Sequence, residues 1–150
     1  LIAHGHKKIG MLAWQENLST TKERVAAYRH AAKMYSFPPV IRYVGIDSGV
    51  ACAAEELMEE HCTALLIGNS KLYVELMRLE SAVNYHPAVV SFSDTPEYEH
   101  LFRGVPIIKQ PTQKIGHLAG RMILERLQYP KSRTRRNVLP CVFQHPEGNL

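Results

Sequence analysis

A guanidinium, two carboxamides, a carboxylate and two aromatic rings stand at turns along this sequence, each close to an apolar run. Arg24 presents planar donors that can fork onto vicinal hydroxyls or a carboxylate. Asn69, Asp94 and Gln110 supply both donors and acceptors, and Trp14 and Phe92 offer flat faces on which the apolar side of a sugar-like ring can stack. Each residue alone has a plainer reading: Asn69 before Ser70 suits a helix entry, and Asp94-Thr95-Pro96 suits a turn. Together they describe a site for a small polar molecule without catalytic machinery.

The patterns of common catalysts are missing. The chain has no G-x-S-x-G elbow, no phosphate-cradling G-x-x-x-x-G-K-[ST] loop and no G-x-G-x-x-G. Its only aspartates are Asp47 and Asp94, and the glutamates cluster on helix faces, so no acid–base carboxylate pair emerges. The eight histidines include His4-x-His6, and Cys62 follows His61, but no C-x-x-C or H-x-x-x-H accompanies them. Surface histidines are expected, with no catalytic residue, no metal site and no cofactor. An enzyme reading would need Ser93 activated by a base such as His86 or His100.

Composition narrows the class further. The 150 residues are 45% apolar and 21% charged, with nine glycines, nine prolines and three cysteines, which excludes a disordered tail, a collagen repeat and a disulfide scaffold. No apolar stretch approaches the roughly 18 residues of a membrane span. The net charge of +4 resides in Lys131, Arg133, Arg135 and Arg136; without them basic and acidic residues are equal in number. That is not the footprint of a nucleic-acid-binding domain, and a solvated loop accounts for the cluster more simply than a phosphate contact. Cys52 and Cys141 lie in apolar segments and read as buried thiols of a reducing cytoplasm. Because the chain starts at Leu1 and runs straight into structured-looking sequence, a longer parent is expected.

The elements that must position these residues alternate. Strands are predicted at Ile9 to Ala13, Val40 to Val44, Ala64 to Gly68, Ala88 to Phe92, Ile107 to Lys109 and, as an edge strand, Asn137 to Phe143. A helix should begin at Thr20 or Thr21, with Thr20 and Glu23 as a capping box. Others start near Ser48 and Ser70, and a long one spans Pro111 to Leu127. Its apolar stripe of Ile115, Leu118, Ala119, Met122, Ile123 and Leu127 needs cover, and Gly116 with Gly120 suits close helix packing. Strand and helix in alternation predict an α/β fold, three-layered, with a doubly wound and mostly parallel sheet. Ligands of such sheets bind beyond the carboxyl ends of the strands, where Arg24, Asn69, Asp94 and Gln110 fall.

His4-Gly5-His6-Lys7-Lys8-Ile9-Gly10, followed by Ser19-Thr20-Thr21-x-Glu23-Arg24-x-x-x-Tyr28, resembles the GH(K/R)xI…S-x-x-x-R-x-x-G-(Y/F) segment of the lactose/galactose repressor (LacI/GalR) family. Ser91 to Pro96 resembles that family's G-(F/Y)-D-(D/N) turn. Ile107-Ile108-Lys109-Gln110-Pro111, with Ile115, Gly116 and Ala119 behind it, is similar to its T-x-(V/K)-Q-P-x-x-x-(I/L)-G-x-x-A stretch.

The resemblance implies the C-terminal half of an effector-binding core with a periplasmic-binding-protein-like fold. Residues 1–105 would form the C-terminal subdomain. Residues 106–150 would supply a crossover strand, the long helix and the final strand of the N-terminal subdomain. It also implies a homodimeric, cytoplasmic transcription regulator whose operator affinity changes with a sugar-like effector, its DNA-reading helix-turn-helix lying before Leu1. Carried over residue by residue, Arg24 would grip the effector, Asn69 would donate to a hydroxyl, and Ser19, Asp94 and Gln110 would flank it. Ser93 stands at the position of the first aspartate of the family turn, Ser70 at that of the aspartate after Asn69. A solute-binding protein of a sugar transporter is the alternative on the same fold, and a small α/β enzyme the second.

Overall fold

The computed structural model describes residues 1–45, 49–80, 85–93 and 104–145, with only the backbone of Glu80. Asp47, Asp94 and His100 lie outside the described residues, as does the expected helix start at Ser48.

Chain order runs β1 (Ile9–Ala13), α1 (Ser19–Met34), β2 (Val40–Tyr43), α2 (Val50–Glu59), β3 (Ala64–Ile67), α3 (Ser70–Glu80), β4 (Ala88–Ser93), β5 (Ile107–Lys109), α4 (Thr112–Gln128) and β6 (Val142–Gln144). Among the described residues the strands form one sheet in the order β2-β1-β3-β4-β5-β6. Every pairing is parallel except the last, where β6 runs antiparallel to β5. This is the expected doubly wound, mostly parallel architecture. β6 is an edge strand as predicted, but it starts at Val142, beyond Pro140, because a proline cannot donate to the ladder. β5 and β6 hydrogen-bond into the same sheet as β1–β4.

Alternation along β1 builds the layers. Ile9, Met11 and Ala13 point to one face and meet Val25 and Tyr28 of α1. Leu12 points to the other and joins Val50, Ala53 and Leu57 of α2 with Leu72, Tyr73 and Leu76 of α3. Gly10 sits beneath α2: a Cβ there would lie 2.7 Å from Leu57 Cδ2, 2.9 Å from Leu65 Cδ2 and 3.1 Å from Cys62 Sγ. The Tyr28 hydroxyl fastens α1 to the sheet by donating to the Ile9 carbonyl at 2.6 Å and accepting from the Val40 amide at 2.9 Å.

Several local expectations are corrected. The helix begins at Ser19, with Leu18 at the cap position and no side-chain cap, so the Thr20–Glu23 capping box does not form: Thr20 is already inside the first turn. Cys52 and Cys141 are exposed, and Cys62 is the buried thiol. The α4 stripe has its predicted periodicity but no buried residue; Ile115, Ile123 and Leu127 are exposed. Gly116 and Gly120 face open space instead of a packed neighbour. The basic loop after α4 is solvated, folding back so that Arg135 pairs with Glu125 and Arg126 donates to the Ser132 carbonyl.

Gly10→Ala is expected to destabilise the fold by ~1–3 kcal/mol, the usual cost of overpacking a filled interior, read as a lower urea midpoint at unchanged slope. Burial pushes the pKa of Cys62, Tyr28 and Tyr85 above ordinary thiol and phenol values, because the charged forms are poorly solvated there. The unfolded chain therefore loses these protons first, and stability should hold through neutrality and then decline with rising pH from about 9 upward. Thermal melts at successive alkaline pH values check this.

Candidate functional site

The sheet order places a reversal of winding between β1 and β3. The connection after β1 leads to α1 on one face, and the connection after β3 leads to α3 on the other. The two loops diverge and leave a crevice at the carboxyl ends, the usual ligand position in open α/β sheets. Gly68 makes its floor. Its amide donates to the Leu12 carbonyl at 2.8 Å, and a Cβ would stand 3.1 Å from that oxygen and 3.4 Å from Ala13 Cα. Both neighbours are backbone and cannot swing aside.

Side chains cross the crevice from both layers. Arg24, in the second turn of α1, donates through Nη1 to the Gly68 carbonyl at 2.5 Å, and its Cζ lies 4.5 Å from the centroid of Phe92 on β4. From the opposite layer, Lys71 of α3 reaches Trp14 at the end of β1, with Nζ 5.0 Å from the ring centroid, while it also pairs with Glu75 at 3.9 Å. Both rings singled out as stacking faces therefore carry one of the protein's own cations. Lys71 went unremarked in the sequence because its partner lies 57 residues away.

Asn69 accepts from the Leu72 amide at 2.9 Å, so it opens α3, the plainer of its two roles, while remaining beside Gly68. Ser93 is buried at the end of β4, and its carbonyl accepts from the Gln110 amide at 3.2 Å. That bond carries the end of β5 to the end of β4. The Gln110 side-chain Nε2 is buried and, among the described residues, has no hydrogen-bond partner. Ser19 is exposed at the first position of α1.

Arg24, Asn69, Ser93 and Gln110 thus share the carboxyl edge of β3, β4 and β5, with Arg24 anchored on Gly68 and Phe92. Ser19 stands apart at the helix entry, and Asp94 lies outside the described residues. His86 is exposed and precedes β4 (Ala88–Ser93), whereas Ser93 ends it, so the length of the strand, at roughly 3.3 Å per residue, separates them. Among the described residues no cluster of three or more His, Cys, Asp or Glu side chains can hold a metal ion. No described helix is long and apolar enough to cross a membrane.

Asn69→Ala should shorten or fray α3 and cost about 1 kcal/mol, the ordinary worth of a helix cap, measured by urea unfolding.

The periplasmic binding protein-like domain model matches residues 1–144. The HTH-type transcriptional regulator CelR of Thermobifida fusca is 28% identical over 138 residues, 85% of this chain and 40% of CelR. A CelR–cellobiose complex superposes with a TM-score of 0.84 at 24% identity, covering 99% of this chain and 49% of that one. A ribose-bound LacI family regulator from Enterococcus faecium gives 0.81 at 22% identity, covering 96% and 57%. The chain therefore spans about half the length of these relatives. The chain belongs to the periplasmic binding protein-like domain family, whose model spans nearly all of it.

Proposed function

We propose that this chain is the effector-sensing and dimerising region of a DNA-binding transcriptional regulator that responds to a sugar or sugar derivative and performs no catalysis. The observation that carries the reading is Arg24. Its guanidinium is held at the winding reversal by the Gly68 carbonyl and the Phe92 ring, beside Asn69 and Gln110. A fork held in place in the unliganded protein loses little freedom when it bonds ligand oxygens. The buried, unsatisfied Gln110 amide adds a donor that gains a partner only when an acceptor arrives.

Residues 1–105 act as the C-terminal subdomain, and α4 reaches toward the other one. The regulator works as a cytoplasmic homodimer and touches operator DNA through a helix-turn-helix upstream of Leu1. Similarity to CelR, a regulator by its name, favours this over a transporter's solute-binding protein. A small α/β enzyme built on Ser93 loses His86 as its base, since the two stand at opposite ends of β4.

The test uses the parent-length regulator on its operator, titrated with cellobiose and with ribose. Arg24→Ala should raise the sugar concentration needed for half-maximal response at least about tenfold, the equivalent of one lost charge-assisted bond, with sugar-free operator binding unchanged. An undiminished response in the variant overturns the role of Arg24. A secretory leader in place of a helix-turn-helix upstream of Leu1 would favour the transporter reading.

A further inference from the structure

The charges of this chain separate where α4 ends. From Glu125 to Arg136 five cations, Arg126, Lys131, Arg133, Arg135 and Arg136, stand with one carboxylate, and no acidic residue follows Glu125 before Glu147. All five cationic side chains are exposed. Glu125 is taken by Arg135, while Arg126 donates to the Ser132 carbonyl and lies 3.4 Å from its hydroxyl, and these pairs fold the loop back on the helix end. Lys131, Arg133 and Arg136 are left without an ion pair among the described residues.

This cluster lies away from the crevice. The Thr112 amide donates to the Gln110 carbonyl at 2.9 Å, so α4 starts at the crevice edge. Its 17 residues, rising about 1.5 Å each, carry the chain about 25 Å before the loop begins. A small effector in the crevice does not reach that far. Nor is the loop a closed anion site, which would need converging donors in a concave pocket; these cations are exposed along a segment with neither helix nor strand. Exposed, spaced cations neutralise an extended polyanion, gaining affinity from the counterions they release and requiring no buried geometry. Four of the five are arginines, whose planar fork matches phosphate oxygens, and Ser132 and Thr134 between them carry further donors of the kind that contact phosphates.

We infer that the Lys131–Arg136 loop is a second DNA contact, gripping backbone phosphates outside the bases that the helix-turn-helix reads. The inference rests on the regulator reading proposed above, which brings duplex DNA to the same protein. The partner is the duplex flanking the operator, a polyanion with one charge per ~1.7 Å of its axis. Such a contact adds affinity without sequence preference, because phosphate oxygens are alike at every base pair. Charge complementarity favours this loop over any other part of the chain: without Lys131, Arg133, Arg135 and Arg136, basic and acidic residues are equal in number.

The test is DNA binding by the parent-length regulator between about 50 and 200 mM salt, on two duplexes. One duplex ends with the operator; the other continues for about one helical turn, roughly 10 base pairs, at each end. On the longer duplex, Lys131→Gln, Arg133→Gln and Arg136→Gln together should make the plot of log affinity against log salt shallower by at least about two. Affinity for the short duplex should stay within about twofold, and the sugar concentration for half-maximal response should not move. Glu125→Gln, which releases Arg135, should steepen the plot on the longer duplex. A slope there that the triple variant leaves unchanged overturns the inference, including where that variant instead loses binding to vesicles of anionic lipid. An equal loss on both duplexes also overturns it. Failure of the unmodified regulator to bind its operator overturns the proposed function as well, whereas the other failures leave that reading standing.

Discussion

The reversal of winding between β1 and β3 is the constraint on which the rest depends. It requires the two strands to run side by side to their ends while their connections part to opposite faces, and only a residue without a side chain fits at the parting. Gly68 lies where a Cβ would press on the Leu12 carbonyl and Ala13 Cα. The carbonyl of the same residue accepts from Arg24 of α1. The packing demand at Gly68 and the placement of Arg24 therefore meet in one peptide unit.

From that point the two outer layers act on the crevice reciprocally. α1 sends Arg24 across to β3 and β4, and α3 sends Lys71 back to the end of β1. The lower end of α1 is fixed independently by the Tyr28 hydroxyl, which bridges β1 and β2. A helix held at both a buried phenol and a guanidinium has little freedom to roll, which keeps the Arg24 fork aimed. A guanidinium on Phe92 gives up part of its cation–π contact if it turns fully to a ligand. Under the proposed role, a ligand's bonds would have to exceed that loss, which would favour two oxygens over a single acceptor.

Much of this was legible in the sequence, for identifiable reasons. The strands from Ile9, Val40, Ala64, Ala88 and Ile107 are short apolar runs whose burial their composition demands, and all five form where expected. The strand-end positions of Asn69, Ser93 and Gln110 followed from those runs. What failed was local chemistry that tertiary contacts decide. Thr20 and Glu23 have the spacing of a capping box, but Ser19 and Thr20 are already helical. Cys52 sits among alanines of α2 yet points outward, since its neighbours Ala53 and Ala54 take the core side. Lys71 over Trp14 and the anchoring of Arg24 on a carbonyl are long-range contacts that no periodicity encodes.

The α4 stripe shows where pattern and burial come apart. Periodicity reports which face of a helix will be apolar; it carries no information about what lies opposite. From Ile9 to Lys109 each strand finds its neighbour within the same span of chain, so α1, α2 and α3 bury their stripes on a sheet built from nearby sequence. α4 follows β5 but packs no residue into that sheet, and its Ile123, Leu124 and Leu127 stay more than half exposed. Several large apolar side chains on one helix face, each worth ~1.5–3 kcal/mol when fully buried, are a cost in water that the neighbouring elements do nothing to relieve. The stripe is thus written for a surface that the first five strands do not provide. Its polar exit, where Arg135 meets Glu125 and Arg126 meets Ser132, only shapes the loop that returns the chain to β6. The sheet receives both ends of this excursion, through β5 and β6.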